Sequence, residues 1–98
     1  MVVRMWRARA AADQAADYRN HFTSEVMPKL RRIGGFISGH LLERRLADRV
    51  ELLVMTEWAS WDAIRQFAGD DPDRAVVDPH AQQMLLEYDA VVEHFERS

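Results

Sequence analysis

The sequence predicts an α+β domain whose elements run strand, helix, strand, strand, helix, strand. Three observations over its 98 residues lead there. Four segments are rich in β-branched and aromatic residues, as strands are. Two stretches between them repeat apolar residues every three or four positions, as amphipathic helices do. The second and third strand segments are joined too tightly for anything but an antiparallel hairpin.

Residues 2 to 8, VVRMWRA, form the first expected strand. From Asp13 to Ile33 the residues Ala15, Tyr18, Phe22, Val26, Leu30 and Ile33 fall on one helical stripe. Asp13 and Asp17 suit its N-terminal end, and Arg31 and Arg32 its C-terminal end, because of the helix dipole. Pro28 lies inside this stripe and is expected to kink or break the helix near Val26, since it has no amide hydrogen and crowds the preceding turn. Gly34-Gly35 stops the helix.

Phe36 to Arg45 and Val50 to Trp58 read as the hairpin, with LADR as its turn. Ser60 is a good N-cap for the second helix, in which Trp61, Ile64 and Phe67 share a face and Gly69 marks the end. DDPDRAVVDP is expected to hold one short helical turn between two breaks, residues 80 to 86 a brief helix, and Tyr88 to Phe95 the last strand. This order is the ferredoxin-like β-α-β-β-α-β arrangement, an antiparallel four-stranded sheet with its helices on one face. The third strand places Leu52 and Val54 on one side and Leu53 and Met55 on the other. A sheet with one wet face alternates apolar with polar residues. The uncovered face therefore calls for a partner, most simply a second copy in a two-fold dimer.

No repeat, linker or low-complexity tract divides the chain, so residues 1–98 read as a single domain. A domain this small buries only roughly two-thirds of its unfolded surface, which also favours a partner. With no cysteine there is no disulfide, thiolate metal site or cysteine nucleophile, and a reducing cytoplasm is the expected location. No stretch is long and apolar enough for a signal peptide or a membrane span. A net charge of -3 argues against nucleic acid, and Lys29, Arg31 and Arg32 are too short a run to reverse that.

The segment LLVMTEWASWDAIRQFAGDD, with AVVDPH and the closing VVEHFE, resembles the antibiotic biosynthesis monooxygenase (ABM) domain family. The resemblance runs from VRMWRAR to HFE, and the strand-Trp-Ser-helix phrase is its most specific part. It implies the dimeric α/β barrel fold. It also implies oxygenation of small aromatic, polyketide-like molecules with no metal or flavin cofactor. Active members of the family use an asparagine on the first strand and a tryptophan late in the helix after the third strand; the haem degraders add a histidine beyond it. In this chain the first strand has no asparagine, Asn20 being on the first helix, and Phe67 stands at the tryptophan position. His80 stands in for the histidine, a few residues further on and after Pro79. These departures point away from haem degradation.

His80, at the start of a short helix, is the candidate base or proton shuttle if its ring faces the cavity between helices and sheet. His21, His40 and His94 are weaker candidates. Tyr18, Phe22, Trp58, Trp61 and Phe67, with Trp6, are candidates to line a pocket for a flat aromatic ligand. Aromatic residues at these spacings also serve simply as core. Asp70, Asp71, Asp73 and Asp78 lack the spacing of a calcium loop and read as caps and turns. No histidine pair has the helical spacing of a zinc site, so no metal is expected. Two kinds of function follow: a cofactor-free monooxygenase, or a non-catalytic dimer that binds a small ligand or serves a structural role. A third reading, haem binding, requires His80 or His21 in the cavity.

Overall fold

The structure is a computed structural model that describes all 98 residues. Its elements are β1 (Val2–Ala11), α1 (Ala15–His21), a π-helical turn (Phe22–Val26), α2 (Met27–Arg31), β2 (Phe36–Arg45), β3 (Arg49–Trp58), α3 (Trp61–Ala68), α4 (Pro79–Gln83), β4 (Glu87–Tyr88) and β5 (Glu93–Glu96). Every pairing is antiparallel, in the order β2-β3-β1-β4, with β5 also on β1. This is the ferredoxin-like order, in which β3 inserts between β1 and β2. The sheet is open and does not close on itself.

Strand periodicity divides β1 and β3 cleanly. Arg4, Trp6 and Ala8 of β1 stand opposite Thr56, Val54 and Leu52 of β3, facing the helices. Val3 and Met5 point the other way with Leu53 and Met55. On the helix side the core has two parts. Ala8, Tyr18, Phe22, Val50 and Leu52 pack together near one end, and Leu30, Trp58, Ala63 and Ile64 near the other.

Between Asp13 and Ile33 the helix is continuous through Pro28, but it widens just before it. The Met27 amide donates to the Phe22 carbonyl in the i to i+5 manner. A π-turn relieves the clash between a proline ring and the turn below it, at the cost of carbonyls left without amide partners. Two hydroxyls bond back to the preceding turn: Thr23 Oγ1 donates to Arg19 O (3.0 Å) and Ser24 Oγ to Asn20 O (2.6 Å). The expected break is thus a bulge within one helical rod.

Two other expectations change. DDPDRAVVDP holds no helical turn but a loop that bridges Arg74 to Val91. The last strand is two short pieces, because Ala90 to Val92 leave β1 for that loop: the Ala75 amide donates to Ala90 O (2.9 Å) and the Val92 amide to Asp73 O (2.8 Å). Trp6 Nε1 holds the departure point through Asp89 O at 2.8 Å.

Gly34-Gly35 ends α2 as expected, but the two glycines differ. Gly35 has φ +93°, and a Cβ there would lie 2.6 Å from Ala63 Cβ, whereas Gly34 has open space around it. Gly35→Ala is therefore predicted to cost about 2 kcal/mol or more. Gly34→Ala should stay within about 0.5 kcal/mol. Urea denaturation of the two variants measures the difference.

Candidate functional site

Between the sheet and the helical rod lies an apolar cavity of about 60 Å³. Trp6, Val54 and Thr56 form its floor, Tyr18, Val26 and Leu30 its helical wall, and Phe67 one end. Val76, Val77, Asp78, Ala81 and Val92 close the outer side. The polar groups that reach this apolar space are few: Arg4, Tyr18, Thr56 and Asp78. An apolar cleft with a few convergent polar groups is the usual form of a small-molecule site.

Arg4 is the most unusual of them, a cation only 4% exposed on a central strand. A buried charge survives only when its donors are satisfied. Here Nη1 donates to Pro72 O, Nη2 donates to Arg74 O (2.9 Å), and the guanidinium lies 5.6 Å from the Phe67 ring centroid. Nη1 also lies 3.1 Å from His94 Nε2, and His94 Nδ1 lies 3.2 Å from Asp73 Oδ1. An arginine has only hydrogens to offer, so Nε2 accepts and Nδ1–H donates to Asp73. Burial, partly offset by Asp73, lowers the Arg4 pKa to about 10, so it remains charged at neutral pH.

Tyr18, 3% exposed, has its pKa raised by burial and then by the Asp78 charge, so its hydroxyl stays protonated. Burial by itself would raise the Asp78 carboxyl. The Ala81 amide (2.8 Å to Oδ1), the His21 ring (2.8 Å to Oδ2) and the charge on Lys29 instead hold it below its usual range. Asp78 thus caps α4, anchors His21 and meets the cavity at once.

Of the aromatic residues expected to line a pocket, Tyr18, Phe67 and Trp6 do so. Trp58 is fully buried behind Phe67, with ring centroids 5.7 Å apart, and Phe22 is core. Trp61 packs outside against His94, with centroids 4.7 Å apart. No histidine lines the cavity. His80 does not face it as expected: α4 turns Ala81 inward and leaves the His80 side chain 61% exposed in a groove beside His21 and Glu25. Asp71, Asp73 and Asp78 accept turn, side-chain and cap hydrogen bonds. Sequence reasoning overlooked Arg4. Its one signal was a charge on the strand face shared with Val2, Trp6 and Ala8.

An apolar cavity with a buried cation thus sits on the ferredoxin-like sheet of an α+β protein. The family model for antibiotic biosynthesis monooxygenase (ABM) matches residues 1–85, and the chain belongs to that family. No curated protein matches it. Among solved structures it resembles a candidate antibiotic biosynthesis monooxygenase from Bacillus cereus (TM-score 0.70, 18% identity, covering 100% of this chain and 94% of that one). It also resembles one from Deinococcus radiodurans (0.67, 16%, 100% and 93%). A third likeness is the ActVA-Orf6 monooxygenase of Streptomyces coelicolor in complex with nanaomycin D (0.61, 17%, 99% and 88%). At these identities the likeness shows the shared fold. No helix of the chain is long and apolar enough to cross a membrane.

His94 gives the site a measurable pH dependence. Burial and the adjacent Arg4 charge lower its pKa from 6.5, against the opposing pull of Asp73. The unfolded chain therefore binds this proton more readily, so the stability linked to His94 is complete above about pH 6.5 and is lost as pH falls through the folded value. Thermal melts between pH 8 and pH 5 should show this loss, and His94→Gln should flatten it. Asp78, depressed from 3.8, acts only in stronger acid.

Proposed function

We propose that this protein is a cofactor-free monooxygenase that oxidises a small hydroxylated aromatic molecule in the cavity of each subunit, in the cytoplasm. The observation that carries the reading is the buried Arg4 cation at the wall of a largely apolar cavity, with Tyr18, Thr56 and Asp78 as the other polar groups. Such a site favours an anionic aromatic, the electron-rich form that reacts directly with dioxygen, because a fixed charge in a dry site stabilises an anion more than water-exposed charge does.

The substrate enters as its enolate or phenolate, its proton left in solvent. The electron-rich ring carbon adds dioxygen, a carbon–oxygen bond forms, and a proton from solvent completes the hydroperoxide. Loss of water across the oxygen–oxygen bond and the remaining carbon–hydrogen bond leaves a carbonyl: one dioxygen is consumed, and a CH₂ becomes C=O plus water. Arg4 stabilises the negative charge throughout, the Tyr18 hydroxyl donates to the substrate oxygen, and Asp78 accepts from a second hydroxyl. Trp6 and Phe67 hold the ring plane. The cavity of about 60 Å³, partly open to solvent, holds only a few waters. A ring therefore needs more room than the resting cavity gives, and Val76, 50% exposed in the outer wall, is a side chain that can yield it.

Aerobic incubation of the purified protein with a hydroxylated anthrone should consume one dioxygen per quinone formed, and anaerobic incubation should form none. Tyr18→Phe is expected to lower kcat/KM about 10-fold and Arg4→Gln about 100-fold. Product formation at the uncatalysed rate would leave the second reading, a non-catalytic ligand-binding dimer. The close packing of Trp58 against Phe67 and Phe36 favours that reading.

In either reading the chain works as a homodimer through its sheet. The face away from the helices carries Val3, Met5, Leu42, Leu53, Met55 and Phe95, with Leu42 50% and Phe95 49% exposed. The pairs Arg7–Glu93 and Arg97–Glu57 border it. An apolar centre with a charged rim is the make-up of an interface between subunits. Leu53→Glu is predicted to convert the dimer to a monomer in sedimentation velocity while the far-ultraviolet circular dichroism is kept.

A further inference from the structure

A second polar cluster lies outside the cavity, where α1 meets α4. His21 is buried, its side chain 2% exposed, and Nε2 lies 2.8 Å from Asp78 Oδ2. A carboxylate can only accept, so Nε2 carries the hydrogen, and in the neutral ring Nδ1 presents a lone pair. That Nδ1 is buried without a hydrogen-bond partner. Glu25 Oε2 stands 2.7 Å away but out of line for a hydrogen bond, and His80 Nδ1 is 3.6 Å from the same oxygen. One atom from each of the three residues fits within a 4.8 Å span.

A buried ring nitrogen 2.7 Å from a carboxylate oxygen needs a positive charge between the two atoms, either a proton on the ring or a metal ion. We propose that His21 Nδ1, Glu25 and His80 Nδ1 bind one divalent transition-metal ion, zinc being the best fit, with Asp78 orienting His21 from behind. Two imidazoles and a carboxylate are a recurrent set for zinc, with a fourth position left for water. Ligands about 2.0–2.2 Å from a tetrahedral ion stand about 3.3–3.5 Å apart. The 3.6 Å separation already meets this. The 2.7 Å separation must open slightly, which Glu25 can allow because its side chain is half exposed. A ligating histidine whose other nitrogen donates to a carboxylate is the usual outer arrangement at such sites, since it fixes both tautomer and ring plane. His21 and Glu25 are four apart on the helical rod, while His80 is brought in by a different helix. The ion would tie α4, and with it the Asp78 wall of the cavity, to α1. It lies outside the cavity and takes no part in the proposed oxygenation.

The test uses untagged, chelator-treated protein titrated with Zn²⁺ by calorimetry and with Co²⁺ by visible spectroscopy. One ion per chain at micromolar affinity or tighter, tetrahedral cobalt bands, and a raised Tm with zinc are the expected results. Glu25→Gln and His80→Ala change exposed side chains, so the fold should survive, and each should weaken binding at least 10-fold. His40→Ala, on the opposite face, should leave affinity unchanged. No saturable binding overturns the proposal, as does unchanged affinity in either Glu25→Gln or His80→Ala.

Discussion

The buried guanidinium of Arg4 is the constraint on which the rest of the site depends. A charge on a central strand must be neutralised by groups that reach it, and none on the sheet can supply enough acceptors. The loop after α3 does so with the carbonyls of Pro72 and Arg74, and His94 accepts from the other side. Once that loop is drawn over β1, Ala90 to Val92 pair with it and not with the sheet, and the last strand breaks in two. The same loop continues through Val76, Val77 and Asp78, which form the outer wall of the cavity. One cation thus holds the loop over β1 and sets a positive charge in the cavity beside the Asp78 carboxylate.

The helical rod makes a second adjustment that reaches the surface. Pro28 cannot sit in an undisturbed α-helix, so the turn before it widens, and the Thr23 and Ser24 hydroxyls bond back to the carbonyls of Arg19 and Asn20. The rod keeps Tyr18, Val26 and Leu30 facing inward, while Glu25 stays outward beside His21 and His80. The helix therefore presents an apolar face to the cavity and a polar, metal-competent edge to the groove. Asp78 touches both.

The outer face of the sheet follows a simpler rule. Leu53 and Met55 lie on the side that no helix covers, flanked by Val3, Met5 and Leu42. Leaving so many large side chains in water is unfavourable, and in the proposed dimer a second copy presenting the same face would remove the cost symmetrically.

By itself the sequence determined the periodic elements: the hairpin from Phe36 to Trp58, the Ser60 cap, the helix stop at Gly34-Gly35 and the two apolar faces of β3. These depend on neighbours a few residues apart, and strand or helix spacing reports them directly. Tyr18 and Phe67 were legible as cavity residues for the same reason. What the tertiary structure decided depends on residues far apart in the chain. Arg4 meets Pro72 and Arg74, and His21 meets Asp78 and His80. His80, legible as a histidine at a helix start, is turned outward because Ala81 takes the buried position on α4. No local pattern encodes such meetings, because loops bring them about, and a loop's path is set by which buried polar groups it must satisfy.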